Sequence, residues 1–320
     1  MTWIALAASV VAGPVVTATA GGARGEANPV VQGPITGGTH GFAWDHWPWK
    51  LPNGYTEKEY FISGTAKAYG VQSPPAAYKT RILMYLPPKR AFNGTLVSEW
   101  FNVTSNYDVP FDFVWSHTAL LARGYAVELV SAQEVGVCAN KNPAGSPEVC
   151  TPTSLKGWDG ARYGSLHHPG DDYSFDIFSQ AVQAARHPRG ISPMGSLKVR
   201  RVIAAGQSQS AQRFDQYMVN GADAHARVID ALLDDSPVGD PPIAKPRVPT
   251  ISLWSEDSFL PVATTSHNQR VWMVAGASHG DAYMSAFSTT VTGNNLGTPP
   301  SSDYATTLNT ARNYGQEGLA

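Results

Sequence analysis

RVIAAGQSQSAQRFDQYMVN, residues 201–220, changes its period halfway along. Residues 199–205 form an apolar, β-branched run broken only by Arg200 and Arg201, which predicts a strand. Gly206-Gln207-Ser208-Gln209-Ser210 follows as a tight turn. Beyond it Ala211, Phe214, Tyr217 and Met218 recur at helical spacing, so the turn joins a strand to a helix. A serine on such a bend has its hydroxyl exposed, and G-x-S-x-G is the corresponding pattern for a nucleophile. Here Ser210 replaces the last glycine, a small residue that still lets strand and helix approach. Ser208 is therefore the candidate nucleophile, against the plainer reading of a structural turn.

On either side of this turn, strands and helices alternate. Strand-like runs at 60–69 and 80–86 predict an antiparallel start to a sheet. Residues 95–101 predict a third strand that ends in the polar loop Asn102-Val103-Thr104-Ser105-Asn106. Residues 113–123 have helical periodicity and stop at Gly124, and 125–131 predict the fourth strand. A helix over 172–186 leads to the turn at Ser208. Strands over 228–233, 249–254 and 270–275 follow. This alternation implies a mostly parallel central sheet with right-handed crossovers and helices on both faces, an α/β class. Residues 134–171 interrupt it as a long loop-like insertion, of the kind that is usually functional. Residues 33–53, rich in Gly, Trp and Pro, read as packed irregular chain.

The chain has 320 residues, and the leading expectation is one large domain over 21–320. Its 23 basic and 25 acidic residues leave almost no net field, which argues against a nucleic-acid partner or an anionic membrane surface. The apolar run at 4–16, followed by Ala18-Thr19-Ala20, suggests a secretory signal within residues 1–20, although the first residues carry no Lys or Arg. That run is too short and too interrupted to predict a membrane span. Cys138 and Cys150 are the only cysteines. They lack the partners for a zinc site. In an exported protein, secreted or periplasmic, they would form one disulfide; in the cytosol they would be free thiols. No metal or organic cofactor is called for, and oligomeric state is not legible.

A serine hydroxyl needs an imidazole to take its proton, and the imidazole needs a carboxylate to fix its tautomer. The chain supplies these in the order Ser208, then Glu256 with Asp257 as the alternative acid, then His279, each after a strand. Asp234 and Asp235, one strand earlier, are a further option. Among nine histidines, His279 alone follows a late strand in a small-residue loop downstream of the other candidates. An oxyanion hole would combine the backbone N–H of Gln209 with that of Asn102 or Val103, after the third strand. Trp100, Phe101, Tyr107 and Trp115 could line a pocket, although aromatics near a strand end are more often core.

Several segments resemble the tenth group of α/β-hydrolase-domain proteins: GPITGG at 33–38, EYFISGTA at 59–66 and SEWFNVTSNYD at 98–108. So do RGYAVELVSAQEVGV at 123–137, RYGSLHHPGDDYSFDIFSQA at 162–181, GQSQSAQRFDQY at 206–217 and VWMVAGASHGDAY at 271–283. The resemblance implies an α/β-hydrolase fold with Ser208 and His279 in the catalytic positions, and export for many members. Members usually continue through a longer C-terminal segment than the polar stretch found here. The expected activity is serine carboxylic ester hydrolysis through an acyl-enzyme, on a small-molecule or polymer-derived ester. A thioesterase, a lactonase or a non-catalytic binding protein on the same fold are the alternatives.

Overall fold

The computed structural model describes residues 26–43, 50–140, 147–237, 245–256 and 266–280, with Met284 and Phe287. The strands described within these residues are β1 (Val30–Gln32), β2 (Thr56–Ala66), β3 (Ala76–Leu86), β4 (Thr95–Trp100), β5 (Ala126–Val130), β6 (Arg201–Gln207), β7 (Ala231–Asp235), β8 (Thr250–Trp254) and β9 (Gln269–Met273). The helices are α1 (Phe111–Ala122), α2 (Glu134–Cys138), α3 (Leu155–Trp158), α4 (Gly160–Tyr163), α5 (Ser174–Arg186), α6 (Gln209–Val219) and α7 (Ala222–Ala226). The nine strands make one sheet in the order β1-β2-β3-β5-β4-β6-β7-β8-β9.

Pairing is antiparallel from β1 through β2 and β3 to β5, and parallel from β5 through β4 to β9. β5 is buried at every residue and β4 at all but the first. Strands covered on both faces carry near-continuous apolar runs for this reason. One face packs Leu96, Trp100, Val130 and Val202 against Phe175 and Phe178 of α5 and Phe214 and Tyr217 of α6. Trp100 stacks on Phe178 at 5.3 Å and meets Phe214 edge-on at 5.6 Å. The other face packs Val97, Val127, Leu129 and Ala205 against Phe113 and Leu121 of α1.

The sheet order places the site. From β4 the chain crosses through α1 to β5 on one side, then returns to β6 on the other side of β4. The strand order reverses between β4 and β6, and open α/β sheets bind ligands at the carboxyl ends of the strands flanking such a reversal. The loop after β4 and the turn after β6 meet there.

The α/β reading, the antiparallel start and the parallel remainder agree with the observed sheet. The insertion over 134–171 differs from its expected loop-like state: it holds α2, α3, α4 and a 3-10 turn at Asp171–Tyr173. Helices of four or five residues are too short to show a period, so the sequence pattern has nothing to register. The three-residue β1 escapes for the same reason. β6 runs to Gln207, two residues beyond the expected end, because its ladder with β7 continues through Gly206 opposite Asp234 and Gln207 opposite Asp235.

Candidate active site

The turn after β6 bends sharply at Ser208, whose φ of 58° and ψ of −117° lie where a non-glycine residue is strained. Such a conformation costs of order 1–3 kcal/mol and persists only when its surroundings over-determine it. They do so here. The Ser208 N–H donates to Asp235 O at 2.8 Å, extending the ladder with β7, and Ser208 O accepts from Gln212 N at 3.0 Å to start α6. The Ser210 hydroxyl closes the bend, accepting from Gln207 N at 3.0 Å and donating to Gln207 O at 2.9 Å. Gly206 must be glycine, since a Cβ there would lie 2.9 Å from the Phe214 ring and 3.0 Å from the Ser210 carbonyl carbon.

His279 arrives on the loop after β9, and its Nε2 lies 2.8 Å from Ser208 Oγ. Both residues are half-buried. The histidine loop is braced by its neighbour after β8: Glu256 N donates to Ala277 O at 2.9 Å, and Glu256 Oε2 accepts from Gly276 N at 2.6 Å. The observed bond of the Glu256 carboxylate is thus to the backbone of the loop that carries His279. Asp257 lies outside the described residues, as does the expected signal segment at 1–20. Asp234 Oδ2 accepts from Ser252 Oγ at 2.7 Å inside the sheet, and burial pushes its carboxyl up to about 7. Asp235 Oδ1 accepts from Ser236 Oγ at 2.8 Å.

Two backbone donors face the question of the oxyanion. Gln209 is the first residue of α6, so its N–H belongs to the helix's opening set, which has no intrahelical acceptor. The Asn102 N–H differs from expectation: it is donated to Val109 O at 3.0 Å, in a two-way bridge that closes the loop after β4. Its side chain instead pins that loop to the elbow, donating from Nδ2 to Gln207 O at 2.9 Å. Among the described residues, no acceptor holds the neighbouring Val103 N–H.

The surrounding polar groups hold these loops from several sides. Glu99, at the end of β4, accepts from Asp112 N at 3.0 Å and Phe113 N at 2.7 Å, satisfying the start of α1. Burial pushes the Glu99 carboxyl up to about 8. Gln133, after β5, accepts from Trp100 Nε1 at 3.0 Å and from Gln209 Nε2 at 2.9 Å, and donates to Asp171 Oδ2 at 2.8 Å. Asp108, in the loop after β4, binds the buried Arg81 of β3 at 3.0 Å and accepts from Ser131 Oγ at 2.5 Å. No sequence period marks Glu99, Gln133 or Arg81, because each acts on residues remote in the chain.

Cys138 and Cys150 form a disulfide that joins α2 to the stretch leading into α3. Trp158, Leu155, Val137 and Tyr163 of this insertion pack with Tyr107, Val109 and Trp115 and with Met284 and Phe287. The aromatics Trp100 and Phe101 are core, fully buried. Among the described residues the one grouping of metal-ligating type is Cys138, Glu148 and Cys150, and both of its thiols are spent in the disulfide. No helix among the described residues is long and apolar enough to cross a membrane.

Solved structures similar to this one include brefeldin A esterase, a bacterial homologue of human hormone-sensitive lipase. It shows 14% identity over 82% of each chain and a TM-score of 0.43. Esterase Est22 shows 11% identity over 81% of this chain and 82% of its own, with a TM-score of 0.44. Acetyl xylan esterase 1 from Thermoanaerobacterium sp. JW/SL YS485 shows 12% identity over 79% and 84%, with a TM-score of 0.43. No curated relative matches the chain. The sequence model of the alpha/beta hydrolase domain family matches residues 31–317, and the chain belongs to that family.

Proposed function

We propose that this protein is a serine carboxylic ester hydrolase working through an acyl-enzyme. One observation carries the reading: a serine strained into positive φ at the sheet's reversal point, with an imidazole nitrogen 2.8 Å from its hydroxyl. Ser208 Oγ attacks the ester carbonyl while its proton passes to His279 Nε2. The carbonyl electron pair moves onto oxygen, where the N–H groups of Gln209 and Val103 receive it. His279 then gives the proton to the leaving alcohol. Water, deprotonated by the same nitrogen, cleaves the acyl-enzyme and regenerates Ser208. The acid is assigned to the pair Glu256 and Asp257, and Glu256 in addition braces the histidine loop through Gly276.

The same groups would serve a thioester or a lactone, since the leaving group makes no demand on the triad. A binding protein without turnover would have no use for the strain at Ser208. The disulfide, together with the apolar run at 4–16, supports folding in an oxidising compartment outside the cytosol. Aryl esters of increasing acyl length, beside matched thioesters and lactones, test the proposal. We expect turnover of oxygen esters that is lost in Ser208→Ala. Hydrolysis confined to thioesters or lactones would reassign the substrate class, and undiminished turnover in Ser208→Ala would remove the mechanism.

A further inference from the structure

Gln207, the residue before the proposed nucleophile, has a side chain that the mechanism above leaves unused. It is 1% exposed. Its backbone is immobilised on every side: by the pairing with Asp235, by both bonds from Ser210 Oγ and by Asn102 Nδ2 on its carbonyl. On this fixed base the carboxamide Nε2 lies 3.2 Å from His279 Nε2 and 3.4 Å from His279 O. Its Oε1 is buried with no partner among the described residues.

The chemistry of these contacts fixes their direction. A backbone carbonyl can only accept, so the end of the carboxamide that faces His279 O is the NH2. The ring nitrogen beside the same NH2 must then accept as well. Thus Nε2 carries the lone pair and the ring proton sits on Nδ1. That is the tautomer in which Nε2 can also accept from the Ser208 hydroxyl. We propose that Gln207 is a positioning residue for His279, holding the imidazole with Nε2 unprotonated at the Ser208 hydroxyl and disfavouring retention of the proton once it is transferred.

When Ser208 Oγ bonds to the substrate carbon, its proton moves to Nε2, and a ring N–H then faces the amide NH2, donor against donor. Turning the amide to offer Oε1 instead would set that oxygen against His279 O, which now accepts from the NH2 at 3.4 Å, so the donor end stays in place. The opposition is relieved when Nε2 gives its proton to the leaving oxygen. Gln207 therefore holds the base before the transfer and favours its action as an acid afterwards. This inference rests on the Ser208–His279 reading.

The test uses the full chain, an aryl ester substrate and Gln207→Glu, which keeps the shape and removes the donor. A carboxylate beside Nε2 would draw a proton onto it and leave Ser208 without an acceptor. We expect kcat to fall by roughly tenfold or more with KM little changed, as for a group that acts on the reacting state rather than on substrate binding. Gln207→Leu should also lower kcat at constant KM. In 15N-histidine spectra of the unaltered protein at neutral pH, His279 Nε2 should appear as the unprotonated nitrogen, and in Gln207→Glu as proton-bearing. A proton-bearing Nε2 in the unaltered protein would overturn the inference even if neither variant folds. So would a Gln207→Glu enzyme with normal kcat. His279→Ala separates the levels: if it is inactive while Gln207→Glu is normal, this inference alone fails; if it is fully active, the site reading fails too.

Discussion

Two serines share the turn after β6, and their surroundings separate them. Ser210 spends its hydroxyl on the backbone of Gln207, whereas Ser208 presents its own to His279. Ser210→Ala leaves a buried N–H without a partner and should destabilise the fold by about 1–3 kcal/mol. Labelling by a fluorophosphonate should survive it, because the reacting oxygen is untouched; a denaturant titration beside a labelling gel checks both. Ser208, from the turn pattern, and His279, from its small-residue loop after the last strand, were legible in the sequence as candidates. The bridging hydroxyl of Ser210 was not, since only the folded turn brings it to Gln207. The acid carries a similar lesson. Glu256 bonds to Gly276 N, a contact between two loops that no spacing could predict. Replacing the triad acid by its amide can cost about 10⁴ in turnover. Comparing Glu256→Gln with Asp257→Asn by steady-state kinetics ranks the pair. A loss on that scale should fall on one of them, and near-normal activity in both would send the role to Asp234 or Asp235.

The insertion between β5 and α5 carries little repeating pattern in its sequence. Its helices are four and five residues long, and its shape comes from contacts rather than from a repeating pattern. Gly136 shows the closeness involved, as a Cβ there would lie 1.9 Å from Asp108 Oδ1. Through Asp108 and Arg81 the insertion, the loop after β4 and β3 are locked together. The disulfide closes a separation of 12 residues within it, worth on the order of 3 kcal/mol in the chain-entropy account. Replacing both cysteines by serine should lower the thermal midpoint. It should also speed proteolysis within 138–150 before it affects the rest of the chain, as read by limited digestion and mass spectrometry. Unchanged digestion would show that packing of Trp158 and Tyr163 suffices to hold the insertion.

At the scale of the whole molecule, the alternation of strands and helices was legible, and the order of the strands was not. Periodicity reports which residues share a face, whereas the placing of β4 between β5 and β6 is settled by packing on both sides of the sheet. That packing also buries carboxyls in the sheet itself. Glu128 of β5 is fully buried, accepts from Ser98 Oγ at 2.7 Å, and is pushed up to about 7 by desolvation. A carboxyl whose folded value is raised leaves stability intact below its ordinary value of 4.5 and removes it as pH climbs through about 7. Over that window the loss attributable to Glu128 is on the order of 3 kcal/mol. Glu128→Gln should therefore match the unaltered protein in stability near pH 4.5 and exceed it near pH 8, measured by denaturant unfolding at both values. Equal stabilities at pH 8 would mean that water reaches this carboxylate.

Intact-mass analysis of fluorophosphonate-treated protein, followed by peptide mapping, tests whether Ser208 is the nucleophile. A single adduct on Ser208, absent in Ser208→Ala and formed far more slowly in His279→Ala, is the predicted result. Ester turnover with no adduct on Ser208, or with the adduct on another residue, would contradict it.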